Sequence, residues 1–117
     1  MKFTIAREEE YIPKWRDNDK EDEPIMFVLR HLNSVEREGL LNISFDEDGK
    51  PRFKADNIRA LRVGVKRIDN MIVNGQTISK VTEYLDLPGV HELTMEIGSK
   101  IISMNAIRSE EEAKNSP

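Results

Sequence analysis

The sequence predicts an α+β fold in which a small N-terminal sheet is followed by three amphipathic helices. First, residues 25–29 form a continuous apolar run opened by a proline, which is typical of a strand buried on both faces. Second, Asp48-Gly49 is a strong turn signal between two short strand-like stretches and predicts a hairpin in the same sheet. Third, the apolar residues change to the helical period of about 3.6 from Asp56 onward.

The first 24 residues are predicted to contribute one strand and a long acidic loop. Residues 3–5 alternate apolar and polar side chains, as a short strand does. Residues 7–24 carry eight acids and two prolines and offer little to bury, so we expect a loop or arm. Trp15 is the exception, because its ring either covers an edge of the core or anchors a partner. Asn33 or Ser34 then caps a short helix after the buried strand.

The first helix of the second half is predicted to carry two distinct faces, with Asp56 as its N-cap. Its apolar stripe consists of Ile58, Leu61, Val65 and Ile68. Its basic face consists of Arg59, Arg62 and Lys66. This face lies in the segment 50–67, where seven basic side chains stand against one acid. Such an uneven distribution indicates an electrostatically polarised surface.

Two further helices are predicted after a turn at Asn74-Gly75. The apolar stripe of the second helix consists of Ile78, Val81 and Leu85. Pro88 suits the first position of the last helix. The broad apolar face of that helix includes Leu93, Ile97, Ile101 and Met104. This face either packs inside the core or forms a self-association or client surface. We expect a single domain over residues 1–107 and a disordered charged tail over residues 108–117.

Length and composition narrow the class of protein. A chain of 117 residues suits one domain, because two cores would leave about 60 residues each, near the lower limit for unaided folding. The chain has no cysteine, which excludes a disulfide framework, a thiolate metal site and a thiol nucleophile. No apolar run suits a signal peptide or approaches the roughly 20 residues that span a bilayer. We therefore expect a protein of the cytoplasm, or of a virion assembled there.

No motif in the sequence singles out a catalytic, cofactor or metal site. The two histidines, His31 and His91, do not stand at a metal-binding spacing. Residues 46–49 look like the start of a calcium loop, but Asn57 stands where the bidentate glutamate of such a loop belongs. The six glycines are scattered, so no phosphate-binding loop is predicted. We predict a non-enzymatic protein without a cofactor.

On charge, the basic face formed by Arg59, Arg62 and Lys66 is the strongest candidate for a partner contact. It has three interpretations: a solvated or ion-paired helix face, a contact with an acidic protein, or a track for a phosphate backbone. Nucleic acid is the least favoured, because Phe53 is the only aromatic residue in the segment and the whole chain carries a net charge of −4.

Two passages, residues 65–77 and residues 93–97 with the charged tail through 114–116, give the chain a resemblance to a known family. Along the chain, the predicted elements follow in the order acidic arm, apolar strand, short helix, Asp-Gly hairpin and helical second half. In this order the chain resembles the small tail assembly chaperones of long-tailed bacteriophages over residues 25–116. The resemblance implies a non-enzymatic protein that coats the tape measure protein and recruits tail tube subunits. It also implies self-association into a homo-oligomer and a longer frameshifted product that shares this N-terminal part.

The sequence therefore leaves three hypotheses for the function. The first is a phage tail assembly chaperone or scaffold that acts in the cytoplasm of the host bacterial cell through its protein partners. The second is a structural subunit of the virion, such as a minor tail or head–tail connector protein. The third is a nucleic-acid-binding accessory protein that uses the basic segment 50–67.

Overall fold

The computed structural model describes residues 1–4 and 7–114, with side chains as far as Asn105. The strands within this part are β1 Glu8–Tyr11, β2 Met26–Arg30, β3 Leu41–Phe45, β4 Pro51–Ala55, β5 Val65–Asp69, β6 Met71–Val73 and β7 Gln76–Ile78. The helices are a 3₁₀ helix at Trp15–Lys20, then α1 Ser34–Arg37, α2 Asn57–Gly64, α3 Val81–Leu85 and α4 His91–Lys114.

A three-stranded antiparallel sheet in the order β1-β2-β5 forms one layer of the fold. The central strand, β2, corresponds to the apolar run of the sequence, and Phe27, Val28 and Leu29 are almost fully buried in it. β2 pairs with a strand on each side, and its Phe27 and Leu29 belong to the hydrophobic core. The prediction of a buried strand here is confirmed.

The N-terminal strand does not lie where the sequence predicts it. Residues 3 and 4 are not in a strand, and residue 5 lies outside the described residues. The strand is β1 instead, within the segment predicted as a loop, and it pairs Glu9 with Leu29 and Tyr11 with Phe27. An edge strand gains its stability from the hydrogen bonds of the ladder. Its carboxylates also find cations, since Lys100 Nζ lies 3.0 Å from Glu9 Oε1.

The predicted helical stripe from Ile58 to Ile68 is also interrupted. α2 ends at Gly64, and the chain continues as β5, in which Val65 and Ile68 are buried. The register against β2 shifts so that Leu29 pairs with Val65 while Val28 pairs with Arg67, which leaves Lys66 as the extra residue of a bulge. In a regular strand the side chain two residues later faces the same side, but after a bulge it is the side chain three residues later. The spacing of a bulged strand therefore imitates one turn of a helix.

The predicted arrangement of one N-terminal sheet and three helices is consequently wrong, although the chain is α+β. The Asp-Gly hairpin forms, with Gly49 at φ 77°, but β3 and β4 pair only with each other. A second separate hairpin, β6–β7, turns at Asn74 and Gly75, both with positive φ. Three small sheets and five helices make up the described part of the chain.

The core lies between the three-stranded sheet and the helices α2, α3 and α4. Tyr84 is fully buried and meets Phe27 edge to face, with the two ring centroids 5.6 Å apart. Gly64 allows α2 to approach α4, because a Cβ at this position would lie 2.8 Å from a side-chain carbon of Ile101. The helix α4 continues to Lys114, so residues 108–114 of the predicted tail belong to it, and residues 115–117 lie outside the described residues. No helix in the described part is long and apolar enough to cross a membrane.

Candidate protein-contact surfaces

The apolar face predicted on the last helix is directed into the core. The side chains of Leu93, Ile97 and Ile101 are fully buried, and Met104 is 8% exposed. They pack on the sheet and on α2, so this face is already covered by the chain itself. A surface for self-association or for a client has to be sought elsewhere on the folded monomer.

The three basic residues predicted on one helix face lie on two different elements. Arg59 and Arg62 are exposed on α2, whereas Lys66 is the bulged residue of β5. The ammonium group of Lys66 forms a short ion pair with Glu8. The hydrogen bond from Lys66 lowers the pKa of Glu8 below its ordinary value. Only Arg59 and Arg62 therefore remain as exposed cations on a shared helix.

Trp15 lies half-buried against the edge of the core, at the start of the 3₁₀ helix. The guanidinium of Arg16 stacks on its ring, 4.5 Å from the ring centroid. Two hydrogen bonds to Glu96 of α4 hold the preceding residues, from the Tyr11 hydroxyl at 2.7 Å and from the Lys14 amide at 2.8 Å. Of the two interpretations of Trp15, this position corresponds to the one in which its ring covers an edge of the core.

Four of the large apolar side chains that are exposed among the described residues lie on the hairpin β3–β4. Every residue of both strands is exposed, and no residue of 41–55 belongs to the buried hydrophobic core. The exposed fraction is 46% for Leu41, 59% for Ile43, 71% for Phe45 and 63% for Phe53. All four side chains point to the same face, because they alternate along β3 and Ile43 pairs directly with Phe53.

The opposite face of this hairpin is polar. It carries Asn42, Ser44, Arg52 and Lys54, which pair across the two strands. The hairpin is therefore amphipathic, like a strand pair that covers a core, yet the four side chains of its apolar face are exposed. We refer to the side of Leu41, Ile43, Phe45 and Phe53 as the hairpin face.

Sequence reasoning identified the hairpin but not its exposure. The sequences Leu-Asn-Ile-Ser-Phe and Pro-Arg-Phe-Lys-Ala both alternate with period two, and this pattern normally indicates a half-buried strand. Whether such a face is covered depends on the other strands and helices of the fold. Sequence periodicity carries no signal for that.

Charged side chains lie at both ends of the hairpin, and at the tip the exposed Lys50 lies close to Glu47 and Asp48 in the chain. At the tip, Asp46 accepts hydrogen bonds from the amides of Asp48 and Lys50 and fixes the turn. This leaves the carboxylates of Glu47 and Asp48 exposed. At the base, the guanidinium of Arg59 packs next to Gly39, where a Cβ would lie 3.2 Å from its central carbon.

The histidines do not converge on a common site. His31 lies beside Glu9 with 3.9 Å between Nε2 and Oε2, and its buried Nδ1 has no hydrogen-bond partner. His91 lines a different groove, together with Asn42, Lys54 and Met95. The described residues contain no group of three or more His, Cys, Asp or Glu that could hold a metal ion.

Comparison with known proteins gives no relative of this chain. No protein-family model, no curated protein and no solved structure matches it. Function therefore has to be argued from the surfaces described above.

Proposed function

We propose that this protein is a non-enzymatic assembly chaperone or scaffold that holds other protein chains at the hairpin face. The observation that carries the proposal is the exposure of two phenylalanines and two branched aliphatic residues on one side of a projecting hairpin. The resemblance to tail assembly chaperones supports a particular setting, in which the clients are the tape measure protein and tail tube subunits of a long-tailed phage. The site of action is then the host cytoplasm.

Exposing apolar surface to water costs free energy, and covering it recovers that cost. At roughly 25 cal/mol per Å², each exposed phenylalanine on this face would gain on the order of 2 kcal/mol on being covered. A two-stranded hairpin is also marginally stable on its own in water, and a third surface packed on it adds the stability it lacks. Contiguous exposed patches of this kind mark interaction sites in monomeric proteins.

The charge around the hairpin favours an acidic client. Arg59 and Arg62 on α2 are exposed and, among the described residues, neither lies within ion-pair distance of a carboxylate. Cations at the rim of an interface steer association more than they add to affinity. We therefore expect the client to place an apolar surface on the hairpin face and acidic residues next to α2.

Co-expression with the tape measure and tail tube proteins of the same phage tests the proposal. Affinity capture of this protein should retain at least one of them, and Phe53→Asp should abolish the capture. Ser44→Asp is the matched control, because it adds the same charge to the same hairpin on its polar face. No capture by the wild type, or equal loss with Phe53→Asp and Ser44→Asp, would overturn the proposal.

The hairpin face also suits a structural subunit of the finished virion, since a permanent partner would cover the same four side chains. Obligate interfaces are more apolar than transient ones, and this face carries no charged side chain. Mass spectrometry of purified particles separates the two functions. A chaperone is absent from them, and a minor tail or connector protein is present at a fixed number of copies.

A further inference from the structure

We infer that the client chain binds in an extended conformation, as a third strand added to the free edge of β3. The inference rests on the proposed function, because it takes a client protein as the partner. It adds the conformation of the bound segment, the strand with which the segment pairs and the pattern of its side chains. The evidence lies in the backbone groups of the hairpin rather than in its exposed side chains alone.

Hydrogen bonds at the two ends of the hairpin fix which of its backbone groups point outward. The Asp46 amide donates to the Lys50 carbonyl at 3.0 Å, and the Asp56 amide donates to the Leu40 carbonyl at 2.8 Å. Hydrogen-bonded and non-hydrogen-bonded pairs alternate along an antiparallel ladder. The register between these two bonds is continuous, so the odd-numbered residues form the non-hydrogen-bonded pairs. Their amides and carbonyls therefore point away from the partner strand.

Three residues of β3, Leu41, Ile43 and Phe45, thus present an amide and a carbonyl at the outer edge of the strand. All three are exposed, and the described part of the chain supplies no third strand and no backbone hydrogen bond to these six groups. An extended backbone matches all six, because its own groups have the same two-residue spacing. A helix does not, since its amides and carbonyls bond to each other.

The outer edge of β4 is less suited to a further strand. The corresponding residues are Pro51, Phe53 and Ala55, and proline has no amide hydrogen to donate. β4 also carries Arg52 and Lys54, whereas β3, with the sequence Leu-Asn-Ile-Ser-Phe, has neither a charged residue nor a proline. Charged side chains and prolines commonly protect an edge strand from further pairing. β3 has neither form of protection.

The remaining free edges among the described strands are charged, occupied or short. β1 consists of three glutamates and a tyrosine. β5 uses its outer edge within the chain, where the Ile68 amide donates to the Ser79 carbonyl at 3.0 Å. β6 and β7 have three residues each and offer few hydrogen bonds. Within the described part of the chain, β3 is therefore the edge best suited to accept a strand.

The hairpin also specifies which side chains the added strand should carry. The side chains of a strand paired with β3 alternate between the same two faces as those of β3 itself. Apolar residues at every second position would extend the hairpin face, and polar residues between them would lie beside Asn42 and Ser44. A third strand also adds the stability that a two-stranded hairpin lacks. We therefore expect the bound segment to alternate apolar and polar residues over the five-residue length of β3.

Amide hydrogen exchange, resolved to single residues by mass spectrometry, tests the added strand. The probe is the tape measure or the tail tube protein, whichever the capture experiment retains. We expect exchange at Ile43 and Phe45 to slow about tenfold or more, and exchange at Phe53 and Ala55 on the other edge to slow about twofold at most. Slowing at neither edge, or equal slowing at both, would overturn the inference and leave the proposed function intact. Capture of neither protein would overturn both.

The same measurement without a client distinguishes an added client strand from a second copy of this chain. We expect the exchange of Ile43 and Phe45 to be independent of protein concentration. Slowing that grows with concentration would assign the β3 edge to pairing between copies, and it would overturn the inference.

Proline substitutions test the edge through affinity. Ile43 and Phe53 pair directly and both amides point outward, so neither Ile43→Pro nor Phe53→Pro removes a hydrogen bond of the hairpin. Alanine at the same position accounts for the lost side chain. We expect Ile43→Pro to raise the dissociation constant of the client about tenfold or more above that of Ile43→Ala, and Phe53→Pro to match Phe53→Ala within about twofold. An equal additional loss at both positions, or none at Ile43, would overturn the inference.

Discussion

Asn18 and Ile25 are joined by two hydrogen bonds that close the acidic arm into a loop. The Ile25 amide donates to Asn18 Oδ1 at 2.8 Å, and Asn18 Nδ2 donates to the Ile25 carbonyl at 2.9 Å. The same Nδ2 donates to the carbonyl of Pro13 at 2.9 Å. Asn18 is only 6% exposed, so water cannot easily replace these bonds. The buried side-chain amide of Asn18 therefore links Pro13 to Ile25, the residue that precedes β2.

We expect Asn18→Asp to lower the free energy of unfolding by about 2–4 kcal/mol. The substitution keeps the size of the side chain but removes both donors and sets a carboxylate against two carbonyl oxygens. Urea denaturation followed by circular dichroism measures the effect. Asp19→Asn, the reverse exchange at the exposed neighbour, should stay within about 0.5 kcal/mol of the wild type. Equal effects of the two exchanges would contradict the role given to Asn18.

The stability of the arm against α4 should depend on pH through Tyr11. Burial and the hydrogen bond to Glu96 raise the pKa of Tyr11 from 10.0 to about 12. Because the folded value exceeds the unfolded one, this stabilisation is complete below pH 10 and is lost as the pH rises from about 10 through about 12. The measurement is the free energy of unfolding of the wild type minus that of Tyr11→Phe at several pH values. A difference that stays constant across this window would contradict the prediction.

Sequence periodicity predicted β2, the Asp-Gly turn and the cap of α2 because each depends on neighbouring residues. The Asp56 carboxylate accepts from the Arg59 amide at 3.0 Å, as an N-cap does. The short helix α1 is likewise capped by Asn33, which accepts from the Glu36 amide at 2.8 Å. These interactions close within four residues, so a local pattern is sufficient to specify them.

The parts that the sequence did not predict depend on distant residues. Lys66 becomes a bulge only because β5 is aligned on β2, nearly forty positions earlier in the chain. The Glu-rich stretch Glu8–Tyr11 becomes a strand for the same reason, since β2 offers it a free edge. The exposed hairpin face has the alternation of a covered one. Its exposure depends on what the rest of the fold leaves uncovered.

The contact between α2 and α4 gives a prediction that runs against helix propensity. A Cβ on Gly98 would lie 2.4 Å from Asn57 Oδ1 and 2.7 Å from Asn57 Cβ. Alanine favours a helix over glycine by about 1 kcal/mol, but overpacking costs about 1–3 kcal/mol. We therefore expect Gly98→Ala to destabilise the protein in urea denaturation.

The double variant with Asn57→Gly separates the clash from other causes. Because glycine removes the side-chain atoms that a Cβ on Gly98 would meet, the two substitutions together should cost less than the sum of their separate effects. Ser99→Ala, at an exposed position of the same helix, controls for propensity and should be neutral or slightly stabilising. Simple additivity of the two substitutions would argue against the close approach at Gly98.

The same truncation should cost much more stability at one phenylalanine than at another. Phe27 is fully buried, so Phe27→Ala should cost about 3–5 kcal/mol of unfolding free energy. Phe53 is 63% exposed and contributes mainly a cross-strand pair with Ile43, so Phe53→Ala should cost about 0.2–1 kcal/mol. Both values come from urea denaturation. A cost at Phe53 as large as that at Phe27 would mean that the hairpin face is part of the core.

Nucleic acid should bind this protein weakly, if at all, because part of the basic segment 50–67 is neutralised within the chain. Three of its cations lie beside carboxylates, in the pairs Lys66–Glu8, Arg67–Asp69 and Arg52–Asp46. We expect labelled single- and double-stranded oligonucleotides to show only non-specific dissociation constants, about 10⁻⁴–10⁻⁶ M or weaker at physiological salt. Fluorescence anisotropy at several salt concentrations provides the measurement.

The matched variants for this experiment differ only in where the charge is reversed. Arg59→Glu with Arg62→Glu removes the exposed cations of α2, and Lys2→Glu with Lys20→Glu makes the same change in charge elsewhere on the surface. Weak non-specific binding should fall similarly in both, since it follows net charge. Tight binding that falls steeply with salt and is lost only in the α2 variant would instead establish the nucleic-acid function, because a phosphate track has to be a defined place on the surface.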